Sequence, residues 1–226
     1  MRFPLVIALL MLSGGAAFGA DLAATLVADG FDLPVGKPNG EGYYRSRGYR
    51  ANGHLGEDWN GKRGGDSDLG APVYTIAHGI VVLAQNFGHG WGNVLIVRHV
   101  YEEQGELRQV DSLYAHLDRI LVRHGQTLRR GHLIGTIGTA GGLYEAHLHF
   151  ELRKDPRVGM ARHRFPQDDR VYWSPMEFIS ARRRLRPGIS VAAVRMNTFV
   201  EFDPAAAGEK ESPKGFRLPS KNAGAR

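Results

Sequence analysis

The stretch Ala146-His147-Leu148-His149-Phe150-Glu151-Leu152 alternates apolar and polar residues with period two, the pattern of a half-buried strand. Leu148, Phe150 and Leu152 then share one face, turned to a core. His147, His149 and Glu151 share the other. Two imidazoles side by side on a strand stand at about the spacing a transition metal needs. The stretch predicts a sheet whose polar face floors a metal site, with further ligands on a neighbouring strand.

Working outward, the rest of the chain reads as more sheet. Its 226 residues suffice for one domain with a sizeable core. Residues 71–76, 79–84, 93–99 and 111–117 are strand-like, with turns around 88–92 and 102–106. These spacings leave no room for crossover helices, so the strands pair as antiparallel hairpins. Residues 120–138 read as a compact turn-and-hairpin unit. Ser174-Pro175-Met176-Glu177 places a capping residue, a proline and an acid where a short closing helix begins. The expected fold is mostly β: an antiparallel β-sheet sandwich or half-barrel with a groove, and a short C-terminal helix.

Composition limits the chemistry. The chain has no cysteine, which excludes disulfides and thiolate ligands; a metal would have to be held by His, Asp or Glu. Residues 1–19 have the layout of a secretory signal peptide: Arg2, an apolar run over 5–12, and Ala17-Phe18-Gly19 as a cleavage site. Export to the periplasm or a cell-wall space is the expected localisation. Residues 20–35 form an N-terminal lead-in. The net charge of +6 falls in residues 182–226, which hold ten Lys+Arg and four Asp+Glu. This basic C-terminal tail is expected to be partly disordered from Pro204 on. Its charge suits an anionic wall or membrane surface, or a solvated tail with no partner.

A second candidate for the site is Gly53-His54-Leu55-Gly56-Glu57-Asp58. On a strand, His54 and Asp58 share a face and Glu57 points away; on a helix they are also neighbours, but the two glycines disfavour one. Asp58, not Glu57, is the natural partner of His54. A third is Leu113-Tyr114-Ala115-His116-Leu117.

In this order, the three elements resemble the lysostaphin-type (LytM-like) zinc endopeptidases that cut peptidoglycan cross-links. The resemblance covers residues 36–181 and includes Ala71-Pro72-Val73-Tyr74, Gly79-Ile80-Val81-Val82, Gly92-Asn93-Val94, Gly125-Gln126-Thr127-Leu128 and Ile134-Gly135-Thr136-Ile137-Gly138. It implies one zinc ion per chain, held by His54, Asp58 and His149, with His116 and His147 as the catalytic histidines. Which of those two is the base stays open. It also implies a metal-bound water as nucleophile and a peptidoglycan peptide as substrate; no nucleic-acid partner is expected. The chain departs from the family at 139–146, where Tyr144 and Glu145 alter the rim, and at Glu57, whose charge either helps hold zinc or faces solvent.

Asn93 and Tyr114 are the candidates for substrate contacts, with core or backbone-bonding roles as the alternative for each. Glu151 either orients a ligand imidazole or makes a strand-end ion pair. His99 ends a strand, beside the site or away from it. His78, His89, His124, His132 and His163 fall in turns, where exposure is expected. Two other functions compete with an active endopeptidase. One is a wall-binding module or activator of other hydrolases, for which lost ligands would be expected. The other is a cupin-like metal binder, in which the His-x-His precedes its third His; here the order is reversed.

Overall fold

The computed structural model describes residues 21–88 and 90–203, so the expected signal segment, His89 and the stretch from Pro204 on lie outside the described residues. The chain enters through β1 (Leu22–Leu26), β2 (Tyr43–Arg47) and β3 (Glu57–Gly61). After β4 (Pro72–Tyr74) and β5 (Gly79–Asn86) come two long strands, β6 (Asn93–Glu103) and β7 (Glu106–Ile120). Then follow β8 (Thr127–Leu128), β9 (Leu133–Ile137), β10 (Leu148–Arg153) and β11 (Tyr172–Trp173). The helix α1 (Pro175–Ala181) and β12 (Val191–Arg195) complete the described chain. These named strands pair antiparallel throughout, as the hairpin spacings require. The fold is mostly β with one short α-helix, as expected.

The main sheet runs β2-β3-β10-β7-β6-β5-β8, with β9 also on β7 and β4 on β9. The β6–β7 hairpin turns through Gln104-Gly105, both with positive φ (57° and 78°), a two-residue turn whose twist matches the strands. The sheet is buried on both faces. On one, Leu148, Phe150 and Leu152 join Leu95, Tyr114 and Phe178 in the larger core. On the other, Val94, Ile96, Leu113 and Ala115 pack against Val27, Ala192 and Val194.

That second face is covered by the two ends of the described chain. β1 pairs with β12 from Leu22↔Arg195 to Leu26↔Val191, forming a separate two-stranded ribbon. In residues 182–203, expected as part of the tail, Val191–Arg195 thus forms a strand. Residues 197–203 run on without one, and Phe202 meets Phe87 edge-on at 5.4 Å.

Two local features differ from the sequence pattern. Ser174 makes no side-chain cap to α1; the Met176 N–H donates to Glu57 Oε1 at 3.1 Å instead. Glu57, wholly buried, also accepts from Trp59 Nε1 at 3.2 Å and Arg45 Nη1 at 2.8 Å. It therefore neither reaches the metal site nor faces solvent: it ties β2 and β3 to the helix. Second, β7 bulges. Leu95 opposes Tyr114 while Asn93 opposes Leu117, so Ala115 and His116 together face Val94. His116 takes φ +62°, a conformation in which His is over-represented among the few non-glycine residues that adopt it.

Candidate metal centre

The bulge decides which face His116 serves. Unbroken alternation would set it beside Tyr114, on the core face. The extra residue turns it to the face of Ala115 and, across the β7–β10 ladder, of His149. Its ring then lies 4.8 Å from that of His147 and 5.6 Å from that of His149. β3 pairs with β10 so that Asp58 opposes His149, and His54 comes in from the loop before β3. All five residues singled out for chemistry meet on one face of the sheet.

Three of them converge. His54 Nε2, Asp58 Oδ1 and His149 Nδ1 form a triangle with sides of 3.0, 2.9 and 3.1 Å. That is close to the ~3.3 Å edge of a tetrahedron with metal–ligand distances of about 2.0–2.1 Å. Their outer partners assign the protons. His54 Nδ1 lies 3.0 Å from Gly48 O, which can only accept, so Nδ1 carries the hydrogen and Nε2 is bare. His149 Nε2 lies 3.0 Å from Glu151 Oε1, so in the neutral ring Nδ1 is the bare nitrogen. Two lone pairs and a carboxylate oxygen thus face one another in a largely buried place, and such an arrangement calls for a cation. In the metal-free chain that cation is a proton: burial lowers the His149 pKa, but the Asp58 and Glu151 carboxylates outweigh it and raise it to about 9, so Nδ1 takes a hydrogen that a metal ion would displace. Burial raises that of Asp58, yet His149 and His54 hold it well below the carboxylate range. These three could hold a metal ion, and the donor set fits one.

The other two histidines are fixed the same way. His116 Nδ1 lies 3.2 Å from Trp91 O and His147 Nδ1 2.8 Å from Glu145 O, so each presents a bare Nε2. His147 Nε2 stands 3.9 Å from Asp58 Oδ1. Burial pushes the His116 pKa well down, and the neighbouring His149 and His147 push it further, so its ring is neutral at pH 7. The Tyr144 ring leans on both, at 5.0 Å from His116 and 5.8 Å from His147.

The two candidates for substrate contact are engaged by the protein itself. Tyr114 is wholly buried. Its hydroxyl accepts from Ile76 N and Ser112 Oγ at 3.2 and 3.1 Å, and burial pushes its pKa to about 12. Asn93 Nδ2 donates to Leu117 O and Asp118 O at the bulge, and its Oδ1 accepts from Asn86. Both side chains bond within the sheet, the alternative role expected for each. His99 is buried away from the centre, between His78 O and Ser112 Oγ. Of the turn histidines, His124, His132 and His163 are exposed, while His78 is half-buried beside Asp29 at 3.6 Å. Trp91 was not legible as part of the site. Its carbonyl holds both the His116 N–H and ring, and its indole meets His149 edge-on at 5.8 Å.

Comparison with known proteins places the same region in a family. Residues 53–161, which contain all five residues, match the model of peptidase family M23. A stretch of 84 residues is 36% identical to the lipoprotein NlpD of Yersinia enterocolitica and covers 78% of it, though only 37% of this chain. The chain belongs to peptidase family M23. The M23 domain is also 34% identical, over 119 residues, to the peptidoglycan DD-endopeptidase ShyA of Vibrio cholerae, covering 52% of this chain and 26% of ShyA. Against ShyB of the same organism it is 38% identical over 86 residues, 37% of this chain and 18% of ShyB. The chain thus spans about a quarter or less of these two relatives. A solved structure of lysostaphin from Staphylococcus simulans aligns over 62% of this chain and 50% of that one, at 25% identity and a TM-score of 0.45.

Proposed function

We propose that this chain is a zinc-dependent endopeptidase that hydrolyses peptide cross-links of bacterial peptidoglycan in the cell envelope. The observation that carries the reading is the triangle of two bare imidazole nitrogens and a carboxylate, flanked by two further bare imidazole nitrogens. His54, Asp58 and His149 would hold one zinc ion. Three protein ligands suit a catalytic rather than a structural site. Zinc supplies a Lewis acid for the scissile carbonyl and brings bound water to a pKa near ~7.

The chain's own groups do the rest. With Nδ1 of His116 and of His147 held by backbone carbonyls, only Nε2 of either can move a proton. One takes it from the attacking water and returns it to the departing amine nitrogen. The protonated ring is a donor for the oxygen of the tetrahedral intermediate while it waits. Tyr144 against both rings screens that exchange from solvent on one side.

The substrate class rests on membership of the family and on the relatives named as peptidoglycan DD-endopeptidases. The same relatives motivate the envelope location. No helix among the described residues is long and apolar enough to cross a membrane. A second reading, an activator of other hydrolases, draws on relatives named murein hydrolase activator NlpD, such as that of Salmonella typhimurium at 33% identity. The complete set of five residues favours catalysis over it. The test is to measure zinc content and new peptide termini after incubation with peptidoglycan. About one zinc per chain and new termini, lost in His116→Ala, support the peptidase. Zinc without new termini, unchanged in His116→Ala, would replace it with the activator.

A further inference from the structure

Behind the metal ligand His149 lies an ion pair that the reaction itself does not use. Glu151, wholly buried, faces His149 with Oε1 and accepts from Arg153 Nε at 2.8 Å with Oε2. Arg153 Nη2 lies 2.7 Å from the same oxygen, and the guanidinium is 1% exposed. Alternation along β10 sets all three residues on one face, two apart. A buried carboxylate without a cation is costly, and it turns towards whatever other partner it can reach. Turned away from His149 Nε2–H, it no longer gives the ring the bond that aims Nδ1 at the metal. The guanidinium, charged at any working pH and matched to the carboxylate, prevents that.

Arg153 is in turn held by a loop that is secured from outside the matched family region. Its Nη1 donates to Gly159 O. The loop bearing Gly159 is gripped by residues 195–200. Val200 N donates to Arg157 O at 2.9 Å, and Thr198 Oγ1 to Pro156 O. A Cβ on Gly159, which has φ +45°, would lie 2.7 Å from Phe199 Cγ, so the aromatic ring rests on the loop backbone. Arg98, paired with Asp111 through both carboxylate oxygens at 2.7 Å, donates to Pro156 O and to Arg195 O.

We infer that Arg153 is a positioning residue for the metal centre, acting through Glu151 on His149, and that residues 195–200 keep it in place. The inference rests on His149 being a metal ligand. It gives the segment after the catalytic region a role in metal retention.

The experiment measures zinc affinity of the full chain by competition with a chromogenic chelator, alongside the thermal unfolding midpoint of the metal-free protein. Arg153→Met should lower zinc affinity about 10- to 100-fold, the usual effect of losing an outer partner of a ligand. Arg153→Lys, which keeps the charge, should recover part of it. The double variant Thr198→Val/Phe199→Ala should lower affinity in the same direction but less. It also carries the test if the Arg153 variants do not fold. Folded variants with wild-type zinc affinity and only a lower unfolding midpoint would overturn the inference and leave the pair a packing feature. A wild-type chain that takes up no zinc would instead overturn the metal reading itself.

Discussion

His116 has a backbone conformation that costs energy, and such strain persists only where the surrounding structure holds it. The bulge does so, with Asn93 bonding the two carbonyls just beyond it. Because His116 is not in the ligand triangle, it separates chemistry from metal binding. His116→Ala should lower peptidase activity by about 10²–10⁴-fold, the usual worth of a general acid or base, while zinc content stays at the wild-type level. Loss of zinc in step with activity would make it a ligand instead. His99 supports a different kind of test. Burial pulls its pKa down from 6.5 to about 4. The unfolded chain therefore binds a proton in that window that the folded one refuses. Stability from neutral His99 is complete above pH 6.5 and is lost as pH falls towards 4, by ~3 kcal/mol in all. The unfolding midpoint of His99→Gln should therefore fall less steeply than that of wild type between these pH values. Parallel curves would assign the acid sensitivity to another group.

At the scale of elements, what could be read from sequence was whatever periodicity encodes. Leu148, Phe150 and Leu152 face the core, and His147, His149 and Glu151 face away, because a strand admits no other division. The short helix followed from Ser174-Pro175 and the hairpins from their spacing. The bulge had no such signal: the sequence alternates straight through 113–117, and only pairing with β6 shows the extra residue. Tyr114, a candidate for substrate contact, takes its alternative place in the core for that reason. The proton assignments were equally hidden, since they depend on the carbonyls of Gly48, Trp91 and Glu145, and a carbonyl has no sequence identity. The close approach of the His54 loop to β10 belongs here too. A Cβ on Gly56 would sit 2.4 Å from Phe150 O and 2.8 Å from Glu151 Cγ. Gly56→Ala must push the loop off the strand and His54 away from His149. We expect a loss of about 1–3 kcal/mol from overpacking, together with weaker zinc binding. Chelator competition and denaturant unfolding would register the two effects separately. Unchanged zinc affinity would mean that the loop yields without moving His54.

At the scale of the whole molecule, the basic C-terminal region is two things. Residues 182–203 and 204–226 each hold five Lys+Arg and two Asp+Glu. In the first group, Arg182 pairs with Glu103 at 2.7 Å and Arg183 with Asp32 at 3.3 Å, so part of that charge is answered within the fold. The same segment supplies β12, whose Ala192 and Val194 are buried with Met196 against the sheet. It is a structural part of the domain, and attraction to an anionic wall or membrane surface is a proposal for residues 204–226 alone. Two truncations distinguish these roles. A chain ending at Arg182 loses the ribbon and exposes the second core. At about 1.5–3 kcal/mol for each fully buried large apolar side chain, Val194 and Met196 alone would take a large share of a typical domain's stability. We expect a much lower denaturant midpoint, or insoluble protein. A chain ending at Asp203 should unfold at the wild-type midpoint and cleave small peptides normally. It should bind anionic vesicles or wall fragments less than the full chain at low salt, with the difference vanishing at high salt. Equal binding by the two at low salt would remove the tether. A stable, active chain ending at Arg182 would show that the ribbon is dispensable.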